Sequence, residues 1–251
     1  MFVDVKMINA SELEQSAIEF HKKLDNIKNN IDKQFPWYPY GTLNNFIHLK
    51  SLLAEHPLSS LITGNHVADI GAADGDLAFF IENFGYHVDV IDHAPTNFNG
   101  LRGAEILRKH LKSSIEIHDV DLDSYFSLPR KDYGLIFFLG ILYHLKNPFY
   151  ILESLSKITK NLLISTRIAR FSPKGDFIAE IPVAYLLGPA ESNNDATNFW
   201  IFSEIGLKRL FDRTGWDLVA YTSVGDTKKS NPASQDHDER AFAILRSRRI
   251  Y

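Results

Sequence analysis

The chain contains no cysteine, which excludes disulfides, zinc–thiolate sites, iron–sulfur clusters and thiol nucleophiles. It also lacks a long apolar run: the longest, residues 134–143, is too short to span a bilayer. The opening MFVDVKMINASELEQ has no apolar core of signal-peptide type, so a cytoplasmic protein is expected. Positive charge is not in excess. Twenty-seven Lys and Arg against thirty-one Asp and Glu leave a net charge of −4 over 251 residues, which argues against wholesale coating of nucleic acid. The histidines are scattered and no carboxylate–histidine spacing recurs, so no metal site is expected. What is present is ordinary globular composition, 45% hydrophobic and 23% charged, long enough to bury a real core.

Ser11-Glu12-Leu13-Glu14 fits a capping box and predicts a helix over about 12–33. Its apolar stripe, Leu13, Ala17, Phe20, Leu24, Ile27 and Ile31, suits packing on the chain's own domain and equally a short coiled-coil homodimer. Two prolines within 35–41 then break the helix. The aromatics there, Trp37, Tyr38 and Tyr40, either anchor the loop or wall a ligand pocket. A second helix is expected over about 43–55.

From residue 66 the texture changes. Short β-rich runs at 66–70, 86–91, 114–118, 133–139 and 161–166 alternate with helical stretches near 76–84, 97–112 and 148–158. That rhythm predicts an α/β fold, a parallel sheet with right-handed crossovers and helices on both faces. Residues 167–202 interrupt it without a clear period. After a helix near 203–214 come strands 216–224 and 239–247, expected to pair antiparallel because no helix joins them. Their connection, 225–238, is polar and is expected to stay unburied and mobile.

The most informative stretch is Asp69-Ile70-Gly71-Ala72-Ala73-Asp74-Gly75-Asp76, a buried strand running into a glycine turn that opens a helix. In doubly wound sheets such a turn meets nucleotide-like ligands. The dinucleotide fingerprint G-x-G-x-x-G is absent, since Ala73 and Asp76 stand where its later glycines belong. Asp69, Asp74 and Asp76 crowd the turn with negative charge, which would repel a pyrophosphate and attract an ammonium or sulfonium. A nicotinamide dehydrogenase is therefore disfavoured. Asp92 ends the second strand, where a carboxylate can accept from a ribose diol, and Asp119 follows the third, where it can accept from an adenine amino group.

The Asp69-x-Gly71-x-x-x-Gly75 turn with Asp92 and Asp119 resembles the cofactor site of class I S-adenosylmethionine-dependent methyltransferases over about residues 60–165. That resemblance implies a Rossmann-like, seven-stranded, mostly parallel sheet with the last strand antiparallel. It implies that Asp69, Gly71, Ala72, Ala73 and Gly75 hold the methionine moiety, that Asp92 lies at the ribose, and that Asp119 and the Val120 amide meet the adenine; His93 beside Asp92, Leu139 and Tyr143 would complete the cofactor's surroundings. Gly140 to Pro148 and Asn198 to Ser203 resemble the branch containing the tRNA wobble-uridine carboxymethyltransferases. By that likeness Tyr143 and Arg240 would hold the carboxylate of a carboxylated cofactor. The family's cofactor-carboxylate lysine has no counterpart around 33–40, and the basic residues cluster only near the end, Arg240, Arg248 and Arg249 among them.

Methyl transfer asks the protein to align acceptor, methyl and sulfur and to exclude water. A hydroxyl acceptor adds the need for a base, for which His144 is a candidate beside Tyr143; its alternative role is to tether the loop. Residues 1–58 are read as a helical cap, 59–251 as the methyltransferase domain and 167–202 as a substrate-covering insertion. Trp37, Tyr40, Glu180, Tyr185, Trp200 and Arg240 are the expected acceptor contacts. The expected acceptor is a small molecule such as a sugar or secondary metabolite bearing a hydroxyl, with RNA as the alternative. A non-catalytic scaffold that keeps the cofactor pocket is the competing class.

Overall fold

The first helix, α1, spans Ala10–Ile31 in the computed structural model, which describes residues 8–192, 194–234 and 236–250. The first seven residues, read above for a leader, lie outside the described ones. The helix is capped by Asn9 and not by Ser11. The Asn9 side chain accepts from the Ser11 and Glu12 amides at 2.9 and 3.0 Å, and Glu12 Oε2 accepts from the Asn9 amide at 3.0 Å. The reason is that Asn9-x-x-Glu12 carries the same reciprocal spacing two residues earlier, with a cap at least as good as serine. Leu13, Ala17 and Leu24 of the stripe are buried, and α1 packs on α2 (Phe46–Glu55) and α4 (Asp76–Glu82). The short helix α3 (Leu58–Leu61) follows α2.

The chain divides into two compact units, Met1–Phe137 and Phe138–Tyr251. In the first, β1 (His66–Ile70), β2 (His87–Asp92), β3 (Glu116–Asp119) and the start of β4 (Leu135–Leu139) lie in the order β3-β2-β1-β4, all parallel. Helix α4 links β1 to β2, and α5 (Arg102–Leu111) links β2 to β3. Phe46, Phe79, Phe137, Leu24 and Ile70 are fully buried in this unit's core.

The second unit begins with the end of β4. Its order runs β4-β5-β7-β6, and β9 pairs β5 as well as β8. Here β5 is Asn161–Ala169, β6 Ala184–Leu186, β7 Trp200–Ser203, β8 Trp216–Gly225 and β9 Glu239–Ser247. Helix α6 (Pro148–Leu155) precedes β5, and α7 (Glu204–Arg213) precedes β8. Strand β9 runs antiparallel to both β5 and β8, as expected. The expected seven strands are β1 to β5, β8 and β9. The other two among the described residues are β6, within 167–202, and β7, which ends at Ser203; at three and four residues they are too short for alternation to register in sequence.

The connection 225–238 corrects the expectation that it stays unburied. Ser230 is fully buried, its carbonyl accepts from the Arg170 and Phe171 amides at 3.1 and 2.9 Å, and its hydroxyl donates to the buried Glu239 at 2.7 Å. A polar segment can be buried when its own groups are hydrogen-bonded, as these are. Among the described residues no helix is long and apolar enough to cross a membrane.

Candidate active site

The turn after β1 is built on left-handed backbone. Gly71, Ala73 and Gly75 have φ of 73°, 56° and 81°. Ala73 thus adopts a conformation that glycine takes more cheaply, and what it gains is an amide aimed at β2. That amide donates to Asp92 Oδ2 at 3.1 Å. Asn97 Nδ2 donates to the same oxygen at 3.0 Å, and the His93 amide donates to Oδ1 at 2.8 Å. Burial pushes the Asp92 pKa up, and these bonds from Asn97, His93 and Ala73 pull the other way. Ala72 is buried inside the turn, where its carbonyl accepts from the Gly75 amide at 2.8 Å.

Asp119 is brought to the same strand ends. Its Oδ1 accepts from the Ala94 amide at 2.9 Å and lies 3.3 Å from His93 Nδ1. The Val120 amide, expected to meet an adenine ring, donates instead to the Asp92 carbonyl at 2.9 Å. It is spent because it continues the ladder between neighbouring parallel strands.

The structure revises the charge of the turn. Asp74 and Asp76 are buried and paired with a lysine that sequence reasoning passed over: Lys28 of α1 places Nζ 3.1 Å from Asp74 Oδ2 and 2.9 Å from Asp76 Oδ1. Asn99 and the Tyr38 amide complete Asp74, at 2.7 and 2.8 Å. Burial opposes the charge on Lys28, yet Asp76 and Asp74 outweigh it and hold the ammonium above its ordinary pKa. Asp76 Oδ1 makes no hydrogen bond among the described residues but lies against the Lys28 ammonium, whereas Asp69 has no such cation beside it. Its side chain is buried, and Oδ2 has no hydrogen-bond partner among the described residues. Burial, with Asp92 close by, raises its pKa to about 8 against the pull of the Ala78 amide.

Also in this unit, Trp37 donates Nε1 to the Asp32 carbonyl at 2.9 Å, and Tyr40 is three-quarters exposed. Both line a cavity of about 280 Å³, together with His21, Lys28, Tyr38 and Asp76. The aromatic loop therefore does both things sequence left open, anchoring itself and walling a cavity.

In the second unit, Leu139 is half-buried at the end of β4, and Tyr143 and His144 lie on a one-turn 3₁₀ helix (Leu142–His144). The Arg240 guanidinium sits 5.5 Å over the Tyr143 ring, with Nη1 3.5 Å from the tyrosine hydroxyl. Asp238 Oδ2 lies 3.7 Å from Nη2 of the same guanidinium. His144 Nδ1 contacts Thr197 Oγ1 at 3.0 Å and the Thr197 carbonyl at 3.2 Å, so the ring ties two loops together. Burial lowers its pKa despite Asp195. Tyr185 donates to Glu191 at 2.9 Å and packs with Tyr143 in one cluster, whereas Trp200 donates to the Lys146 carbonyl at 3.2 Å. Glu180 is exposed.

No protein-family model matches the sequence, and no curated protein is similar to it in sequence. Solved structures are similar in fold. A candidate sarcosine dimethylglycine methyltransferase from Galdieria sulphuraria superimposes with a TM-score of 0.58 at 11% identity, covering 84% of this chain and 87% of that one. The N-terminal domain of EvdMO1 with S-adenosylhomocysteine (SAH) bound gives 0.58 at 13% identity, over 96% and 98%. The chain has the class I methyltransferase fold. The [4+2]-cyclase SpnF also matches (TM-score 0.56, 14% identity, 84% and 85% coverage), so the methyltransferase fold by itself does not fix a reaction. That decision belongs to the side chains.

Proposed function

We propose that the chain is an S-adenosylmethionine-dependent methyltransferase acting on a small polar acceptor. The observation that carries this reading is the unpartnered, buried Asp69 Oδ2 beside Asp92 on a glycine turn at the carboxyl ends of β1 and β2. Such a site suits a ligand with a ribose diol and a cationic methionine end, which favours the ionised form of Asp69. The SAH bound to EvdMO1 supports the same choice. Asp69 and the turn from Gly71 to Gly75 are assigned to the methionine moiety, Asp92 to the ribose, and Asp119 with His93 to the adenine side.

When bound, the cofactor supplies both the methyl group and its leaving group. The chain's residues bind, orient and keep out water. In this reading residues 1–58 cap the domain formed by 59–251. The cavity walled by Trp37 and Tyr40 supports a small acceptor such as a sugar hydroxyl, and the segment 167–202 with Tyr185 and Trp200 is likewise assigned to the acceptor. His144 is assigned as a tether for the loop after β4, because its Nδ1 contacts both oxygens of Thr197.

A carboxylated cofactor is the second reading, favoured by the Arg240 guanidinium held over Tyr143. The test incubates the protein with methyl-labelled S-adenosylmethionine and a cell extract separated into RNA, protein and small-molecule fractions. Label among the small molecules is expected; label only in RNA or protein would overturn the acceptor assignment. Turnover only with the carboxylated cofactor would establish the second reading, and binding without turnover would establish a scaffold. By calorimetry, Asp92→Ala should lower SAH affinity at least about 10-fold with the circular dichroism spectrum unchanged, since a carboxylate hydrogen bond is lost. Unchanged affinity would reject the ribose role.

A further inference from the structure

Asp89 of β2 and Glu116 of β3 are paired neighbours across a parallel ladder, and His118 stands two residues beyond Glu116 on the same face. Asp89 is held from one side: Oδ2 accepts from the Tyr133 hydroxyl at 2.6 Å and lies 3.3 Å from Arg130 Nε. Its other oxygen, Oδ1, faces His118 Nε2 at 3.7 Å, and Nε2 lies 3.8 Å from Glu116 Oε2. Both separations are too long for hydrogen bonds. His118 Nε2 is nevertheless buried and has no hydrogen-bond partner among the described residues. One imidazole nitrogen and two carboxylate oxygens thus lie within 4.8 Å of one another.

We propose that Asp89, Glu116 and His118 bind one divalent transition-metal ion, zinc being the best match. A tetrahedral zinc with bonds of about 2.0–2.1 Å sets its ligands about 3.4 Å apart, so the two separations from His118 Nε2, 3.7 and 3.8 Å, close with shifts of a few tenths of an ångström. Glu116, largely exposed, is free to make that shift. The nitrogen ligand selects zinc and its neighbours over magnesium or calcium, which prefer oxygen throughout. Tyr133 and Arg130 act as the outer shell, orienting the Asp89 carboxylate so that Oδ1 points to the ion. Two carboxylates and one guanidinium leave a single negative charge, which a divalent ion reverses. Arg130, also 3.8 Å from Glu116 Oε1, therefore weakens the site without filling it. Pairing with Arg130 accounts for Asp89 but leaves His118 Nε2 unexplained; a metal accounts for both. Glu-x-His on a strand is a carboxylate–histidine spacing of period two, which the sequence reading did not recognise because its third ligand lies on another strand.

Metal-free protein, dialysed against a chelator, is titrated with zinc chloride by calorimetry and with cobalt chloride by visible absorption. One equivalent of zinc is expected, with the cobalt bands of a four-coordinate site. Glu116→Gln and His118→Asn should each weaken zinc at least about 10-fold, and Arg130→Gln should tighten it several-fold. Glu116→Gln alters an exposed side chain, so it tests the site even where His118→Asn perturbs folding; circular dichroism reports on both. No saturable heat up to millimolar zinc would overturn the proposal. So would equal zinc binding by wild type and Glu116→Gln, which would mark adventitious binding to other histidines.

Discussion

Burial and the nearby Asp92 lift the Asp69 pKa to about 8 from an ordinary 3.8, which favours the protonated carboxyl at neutral pH in the free chain. The unfolded chain loses that proton near pH 4, whereas the folded chain keeps it to about pH 8. Between those values the native state binds more protons, so stability should fall as pH rises, by at most about 1.4 kcal/mol per unit. Urea unfolding at pH 5 and pH 8 should show this loss in wild type and not in Asp69→Asn. A cationic ligand beside Asp69 favours its ionised form, so SAH and S-adenosylmethionine should differ: the sulfonium compound should release more protons, read as calorimetric heats that change with buffer ionisation enthalpy. Lys28 is the reciprocal case, a buried charge that already has its partners. Lys28→Met strands Asp74 and Asp76 and should cost about 3–5 kcal/mol in chemical denaturation. A cost below about 1 kcal/mol would mean that the two carboxyls are neutral in the fold.

Helix α5 illustrates how tightly elements are fitted around the turn. A Cβ on Gly103 would run into Asp74 Oδ1 and approach Asn99 Nδ2 to 2.8 Å. Gly103→Ala should therefore destabilise by about 1–3 kcal/mol although alanine is the better helix former, and thermal unfolding would show it. The same fit explains what could be read from sequence. Strands β1 to β5, β8 and β9 are spelled out by apolar runs and their spacing, and the antiparallel last strand by a connection without a helix. Strands β6 and β7 are not, because three and four residues carry no period. The capping box of α1 was expected at Ser11 and is made by Asn9, which also precedes a glutamate at the right distance. At the site, the carboxylates at strand ends were visible as a pattern. Lys28 was not, because it meets Asp76 across 48 residues of chain. The burial of Ser230 within 225–238 rests likewise on Arg170 and Glu239, whose ion pair at 2.7 Å is made across 69 residues of chain.

The whole chain carries a net charge of −4, and its basic tail is largely spent internally. Arg248 pairs with Asp212 and Asp217 at 2.9 and 3.1 Å, and Arg249 with Glu153 at 2.9 Å. Counterion release from RNA needs cations free to meet phosphates, so no retardation of tRNA is expected in native gels at about 150 mM salt. A tRNA complex that persists there would favour the wobble-uridine branch. The bond between Lys28 and the turn also bears on how the chain is made. During vectorial synthesis Lys28 emerges 48 residues ahead of Asp76, so its ammonium must remain hydrated until the turn has left the ribosome, and α1 cannot settle before then. A fragment that begins at β1, the smallest piece that looks like a nucleotide-binding fold, would inherit two buried carboxylates without their cation. The minimal autonomous unit of this architecture must therefore start upstream of α1, and excising the sheet alone should yield a chain that aggregates as it leaves the tunnel.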